Sequence, residues 1–241
     1  MISAPAYARV YETMKRDIME GEYPIGSLIP TEPELEKRFG VSRTTVRRAM
    51  ELLARDGFVR AQQGYGTKVL DYKSKQNLNL ITSVSETLRR AGHDVSSPSM
   101  YIDVLEPSPR IAESLNLEPH ALVARVQRIL VVDGHPLAIM RNYIPAKLVP
   151  GIEDNNNGTI LSLYQFLEDR YNIVIETAHD SISARSADFS EAQMLNVPVG
   201  TALLHMRRVC FSGGRPVCAD RLSLLGDRYE LEVNMVGRDR G

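Results

Sequence analysis

Two stretches of the chain repeat one another at a fixed offset of 80 positions. Ile102 matches Ile182, Ala112 matches Ala192, and Leu115-Asn116-Leu117 matches Leu195-Asn196-Val197. Arg128-Ile129 then matches Arg208-Val209, Gly134-x-Pro136 matches Gly214-x-Pro216, and Arg141 matches Arg221. Each copy reads as strand, short helix, strand, glycine-containing turn, strand. Asp133-Gly134 and Gly213-Gly214 are strong two-residue hairpin signals. The period is too long for a solenoid, so two copies point to a pseudo-symmetric α+β domain with a central antiparallel sheet. Between the copies, Ile160, Leu163, Tyr164 and Leu167 fall at helical spacing.

The segment ahead of the repeat has a different rhythm. Tyr7, Val10, Tyr11, Met14 and Ile18 recur as the apolar stripe of a surface helix, which Gly21, Pro24 and Gly26 close. Thr31-Glu32-Pro33-Glu34 has the form of a capping box, Leu35 and Phe39 give the next helix its buried side, and Gly40 suits a left-handed terminator. Ser42 caps a third helix ending at Gly57. Phe58–Ala61 and Thr67–Leu70 read as short strands around Gln62-Gln63-Gly64-Tyr65-Gly66, a hairpin tip. Asp71–Asn79 is polar, has no apolar period and is expected to be a linker. The organisation expected is a helical unit with a hairpin over residues 1–70, a linker over 71–79 and an α+β domain over 80–241.

A net charge of −1 over 241 residues neither suggests nor excludes a nucleic-acid partner. Its distribution is more informative. From Lys37 to Lys68 there are eight basic residues and two acidic ones, net +6. Within that stretch VSRTTVRRAM, Val41 to Met50, buries Val46, Ala49 and Met50 on one face, continued by Leu53. Thr44 and Arg48 then point away from the core, flanked by Thr45 and Arg47, and Arg43 sits in the first turn. Arginine there is mildly unfavourable for the helix dipole, so stability does not explain it. A helix N-terminus entering a major groove does: arginine can donate to guanine O6 and N7 together, and threonine can meet phosphate or a thymine methyl.

These segments together resemble the winged helix–turn–helix of GntR-type bacterial transcription regulators. The resemblance rests on Tyr23-Pro24-x-Gly26-x-Leu28-x-Pro30-Thr31-Glu32, on Phe39-Gly40-Val41-Ser42-Arg43-Thr44-Thr45-Val46-Arg47, and on Gly64-Tyr65-Gly66-Thr67. It implies operator contacts from Ser42, Arg43, Thr44, Thr45 and Arg47, and a minor-groove contact from the wing tip at Gln63 and Gly64; Arg48, pointing away from the core beside them, is a further candidate DNA contact. Many members carry an arginine after the Ser/Thr-Glu pair, where this chain has Pro33, so the operator is not carried over from relatives.

Residues 80–236 resemble the UTRA effector domain of the HutC-like branch of that family. The pieces are Thr82-Ser83-Val84-Ser85-Glu86 leading to Gly92, Arg128 with Asp133-Gly134-x-Pro136, Asn142-Tyr143-Ile144-Pro145, Leu161-Ser162-Leu163-Tyr164, and Gly226-Asp227-Arg228-Tyr229. The resemblance implies a six-stranded antiparallel sheet related to chorismate lyase. It also implies an anion held by Ser85 or Ser83, Arg128, Ser162 and Tyr164, a chemistry suited to an arginine fork, hydroxyls and a helix N-terminus. Several sugar-contacting positions differ: the second arginine of the usual R-x-R is Leu130, and Met140, Cys218 and Leu224 stand where polar groups are usual. The expected effector is thus a small anion, a phosphosugar or a carboxylate. Arg141 and Asp220 are further candidate effector contacts; for Arg141 and Arg221, ligand contact and ion pairing with carboxylates such as Asp220 both remain open.

The longest apolar runs, such as Ile129–Val132, are too short to cross a bilayer, and charges interrupt the N-terminus as a signal peptide, so a cytoplasmic protein with no membrane partner is expected. Cys210 and Cys218 flank a hairpin turn and are expected as reduced, buried thiols. His93, His120, His135, His179 and His205 lack metal spacing, and no phosphate loop or nucleophile motif is present. The alternative of an enzyme of lyase-like fold fused to a DNA-binding module therefore rests on analogy of fold. The expectation is a regulator without a cofactor, a repressor by preference, that binds a palindromic operator in double-stranded DNA as a homodimer and answers to a small metabolite.

Overall fold

The computed structural model describes residues 5–157 and 160–235. It divides into two compact units that meet between Lys73 and Ser74. The first contains α1 (Ala6–Glu20), α2 (Glu32–Phe39), α3 (Arg43–Arg55), β1 (Val59–Gln62) and β2 (Gly66–Val69). Val10, Met14 and Ile18 from α1, Leu35 from α2, and Val46, Ala49 and Leu53 from α3 close on Phe58, Val59 and Val69 to form one core. The local signals set the boundaries. Glu34 accepts from the Thr31 amide at 2.7 Å, Gly40 stops α2 at φ 62°, and Ser42 Oγ accepts from the Thr45 amide at the start of α3. β1 and β2 pair antiparallel as a wing, and residues 27–29 join its edge through Val69 N donating to Ser27 O and Ile29 N donating to Thr67 O.

The second unit holds β3 (Ser74–Asn77), α4 (Val84–Arg90), β4 (Val95–Leu105), α5 (Pro109–Ser114), β5 (Val123–Val132), β6 (His135–Pro145), α6 (Leu163–Tyr171), β7 (Thr177–Ser186), α7 (Phe189–Leu195), β8 (Ala202–Ser212), β9 (Arg215–Leu225) and β10 (Tyr229–Glu232). Strands β4-β5-β6-β9-β8-β7 form a six-stranded antiparallel sheet in that order, the arrangement two copies of β–α–β–β make around a twofold axis. The repeat extends to register. Arg128 pairs with Met140 and Arg208 with Asp220, and the β-bulges follow Leu130 and Cys210, again 80 apart. At the centre Arg141 lies opposite Arg221, so the pseudo-axis passes between those two residues.

Within the stretch expected as a linker, residues 74–77 form β3 and pair in parallel with β10. Polarity hid this strand, because its side chains do not alternate toward an apolar core; Gln76 is buried with a hydrogen bond accepted from Tyr229 Oη at 2.8 Å. Cys210 and Cys218 are directly opposed, buried and free.

Candidate functional site

The first unit concentrates exposed hydrogen-bonding side chains toward one end of α3. Arg43 and Arg47 are 77% and 70% exposed, although a side chain of that length could fold back onto the protein. Each is held by a single exposed carboxylate: Arg43 Nε donates to Glu32 Oε2 and Arg47 Nε to Glu51 Oε1, both at 3.1 Å. Exposed pairs of this kind contribute about 0–1 kcal/mol and exchange readily for another anion. Thr44 is exposed beside them, and Ser42 and Thr45 share a hydroxyl contact of 3.0 Å. Arg48 differs, lying with its guanidinium 4.0 Å from the centroid of the Tyr7 ring, a packing contact onto α1. On the wing, Gln63, Gly64 and Tyr65 form the exposed tip, Gly64 at φ 80°. Arg60 lies directly opposite Lys68, an unfavourable like-charge pair that a polyanion would relieve.

In the second unit the residues expected around an anion do converge, on one face of the sheet beneath α4 and α6. Arg128 is 2% exposed. Its Nη1 donates to Ile160 O at 2.7 Å and Leu161 O at 3.0 Å, and its Nη2 donates to Asn142 Oδ1 at 3.0 Å. Burial pulls its pKa down to about 10, against the pull of Asp220, so it stays protonated at neutral pH. Its Nε is buried without a partner among the described residues. Asn142 Nδ2 donates to Asp220 Oδ1 and Tyr164 Oη to Asp220 Oδ2, both at 2.7 Å. Burial, then the Asp220 charge, holds the Tyr164 phenol well above its ordinary value, so it donates.

The serines meet at the facing helix starts. Ser83 caps α4 and lies 3.3 Å from Ser162, the cap of α6; Ser85 Oγ donates to Leu161 O at 2.8 Å, and Ser162 Oγ donates to Glu86. The whole cluster encloses a void of only about 10 Å³, room for roughly one water molecule. Immediately outside, Glu86, Arg89, Arg90, Tyr164, Gln165 and Glu168 line a cleft of about 510 Å³.

Residues 6–69 match the family described as bacterial regulatory proteins, gntR family, and residues 90–230 match the UTRA domain. The chain belongs to the gntR family of bacterial regulatory proteins. It is 30% identical to the HTH-type transcriptional regulator Rv0792c of Mycobacterium tuberculosis, over 97% of this chain and 87% of that one. It is 28% identical to the histidine utilization repressor of Pseudomonas putida, over 95% of this chain and 91% of that one. The crystal structure of PhnF from Mycobacterium smegmatis superposes with a TM-score of 0.66 at 26% identity, covering 95% of this chain and all of that one. The family is one of transcriptional regulators rather than enzymes. Among the described residues no helix is long and apolar enough to cross a membrane.

Set in this gntR-family regulator, the expected effector residues divide. Ser83, Ser85, Arg128, Ser162, Tyr164 and Asp220 come together. Arg141 does not. It projects from the other face of the sheet, one residue out of phase with Asn142, and its Nε donates to Gln127 Oε1 at 2.8 Å. The alternative of ion pairing with Asp220 is not made by Arg141 or Arg221 either, because Asp220 also faces the opposite way; Arg221 Nη1 donates to that residue's main-chain oxygen. Asn142, Arg208 and Glu86 were missed. Asn142 and Arg208 are signalled in the sequence by polar residues at inward positions of otherwise apolar strands. Arg208 is bidentate to Asp180, with both contacts at 2.7 Å, a pairing that outweighs the cost of burying its charge.

Proposed function

We propose that this regulator is a cytoplasmic repressor that binds a palindromic operator as a homodimer and releases it when a small anionic metabolite enters the Arg128 cluster. For DNA reading, the supporting observation is the pair of arginines on the free end of α3, tethered only to exposed carboxylates that DNA phosphate and guanine edges can outcompete. Arg43, Thr44, Thr45 and Arg47 then meet the major groove, and Gln63 and Gly64 the minor groove. One such helix reads too few base pairs for useful specificity, so two half-sites are required.

The effector reading is carried by Arg128, a buried, charged guanidinium whose partners are carbonyls and an amide rather than a carboxylate. An anionic ligand group takes the place of the Ile160 and Leu161 carbonyls. Asp220, which already accepts from Asn142 and Tyr164, can accept from a further hydrogen-bond donor on the same ligand, as in a phosphosugar or a hydroxy or amino acid. Because the closed void cannot hold a metabolite, binding must part residues 160–162 from Arg128. That difference between bound and free states is what allows a ligand to shift the protein's conformation. The route outward runs through Thr82 O, which accepts from Arg208 Nη1 at 3.2 Å and from Gln76 Nε2 at 3.1 Å. Gln76 lies in β3, directly after the DNA-binding unit. A thermal-shift screen of phosphosugars and small carboxylates tests this, with Arg128→Ala alongside. A ligand that raises the melting temperature of the native protein but not of the variant supports the assignment; equal stabilisation of both overturns it.

A further inference from the structure

The face of the sheet opposite the Arg128 cluster presents a row of side chains across four adjacent strands: Gln127, Arg141, Arg221 and Arg207. The row lies between the two short helices of the repeat. On one side α5 packs Ile111 and Leu115 against Val123, Ala219 and Tyr143. On the other, Glu191 of α7 accepts from Ser223 Oγ at 2.9 Å. The arginines of this face are treated in two ways. Toward the flanks each has a bidentate carboxylate: Arg125 donates to Asp103 at 2.9 and 2.6 Å, and Arg185 to Glu191 at 2.6 and 2.5 Å. In the middle, Arg141 has the Gln127 amide, Arg221 a main-chain oxygen, and Arg207 is exposed; none of the three has a carboxylate partner among the described residues. Arg110 of α5 adds a fourth positive charge close enough to disfavour the charge on Arg221, after burial and Arg207. Like charges directly opposite on neighbouring strands destabilise a sheet. Both Arg141–Arg221 and Arg221–Arg207 are such pairs.

We propose that this row is a second anion site, separate from the effector cluster, that takes a diphosphate group, either free pyrophosphate or the diphosphate of a nucleotide. Three guanidinium groups on adjacent strands span about 10 Å, from strand spacings near 4.8 Å, and can converge on the oxygens of two linked phosphoryl groups. Arg141 and Arg221 straddle the pseudo-twofold axis, so a ligand with two equivalent halves meets equivalent donors. A second copy of the chain set face to face here by a twofold axis would bring arginine onto arginine, which leaves the charge uncompensated.

Isothermal titration of the full-length protein in phosphate-free buffer tests the site, with pyrophosphate and ADP as separate ligands. Pyrophosphate should bind the native protein, and Arg141→Gln/Arg221→Gln should weaken it by about tenfold or more, the loss of charge-assisted hydrogen bonds. The exposed Arg207→Gln should weaken it in the same direction, which keeps the test decisive if the double variant folds poorly. Arg128→Gln should leave it unchanged. ADP binding as tightly as pyrophosphate, or more tightly, supports the site with a nucleotide as the source; weaker ADP binding supports it with the free anion. Without anion, the double variant should melt no lower than the native protein, since it has lost repulsion. Four outcomes overturn the proposal: no binding of either ligand, binding insensitive to all three arginines, binding lost in Arg128→Gln alone, or a change of sedimenting mass in the double variant, which would make the row a subunit contact.

Discussion

Arg128 and Arg208 occupy equivalent positions in the two halves of the sheet, and their guanidinium groups are treated oppositely. Arg208 has Asp180 across the strand pair; at the matching position Arg128 has Met100. One copy of the repeat thus keeps its arginine as a closed ion pair, and the other keeps it buried and charged, with no carboxylate partner among the described residues. Restoring symmetry should close the effector site. Met100→Asp should supply Arg128 with its missing counter-ion and abolish ligand stabilisation, which for a ligand at a hundred times its Kd amounts to about 2.7 kcal/mol. Thermal shift with any ligand found by screening gives the answer; a ligand that stabilises this variant fully would show that Arg128 is not its anchor.

Gln76 should couple the two functions without performing either. Gln76→Met keeps the side-chain volume but removes both the donation to Thr82 O and the acceptance from Tyr229. Ligand affinity and operator affinity, each measured alone, should stay within about threefold, while the effect of one on the other shrinks from the 1–3 kcal/mol usual for allosteric coupling. Undiminished coupling by fluorescence anisotropy would remove Gln76 from the route.

Acid stability should report on Glu191. Burial opposes its ionisation, but hydrogen bonds from Arg185 and Ser223 outweigh that and hold the carboxyl below its ordinary value. A depressed carboxylate stabilises the fold above its unfolded pKa, near 4.3, and that stability is lost as pH falls through the lower, folded value. Glu191→Gln should therefore flatten the acid limb of a melting-temperature profile below about pH 4.5, while leaving the slope from pH 6 to 8 unchanged. An unaltered acid limb would contradict the assignment.

Arg48 and Arg43 should separate structure from recognition. Arg48→Ala loses a cation–π contact with Tyr7 and should cost roughly 0.5–1 kcal/mol of stability, with little change in base preference. Chemical denaturation measures the first and competition with substituted operators the second. A relaxed base preference in Arg48→Ala would return that residue to the DNA contact set.

The repeat makes the sheet legible in the sequence, because hairpin glycines and paired arginines recur at one offset and a strand pair transmits that offset directly into register. Capping residues did the same for the helices of the first unit: Thr31, Gly40 and Ser42 each mark a boundary through one local hydrogen bond or one backbone angle. What was not legible was facing. Adjacent residues on a strand point to opposite sides, so Arg141 and Asn142 carry equal promise in a sequence but only Asn142 meets Arg128. β3 stayed hidden because its stability comes from pairing with β10, 155 positions away in register, and not from an apolar pattern of its own. The closed state of the cluster was equally out of reach, since it depends on main-chain carbonyls of Ile160 and Leu161 that no side-chain motif encodes.

The proposed function requires that the free end of α3 read a two-half-site operator under metabolite control. Selection of binding sites from a random pool of duplex DNA, repeated with Arg43→Ala, measures it most directly. The native protein should enrich a palindrome with two equivalent half-sites, and Arg43→Ala should bind it weaker by about 1–3 kcal/mol with relaxed preference at one position per half-site. Enrichment of no sequence, of a single unpaired site, or of the same palindrome with undiminished affinity by Arg43→Ala would overturn the proposed function.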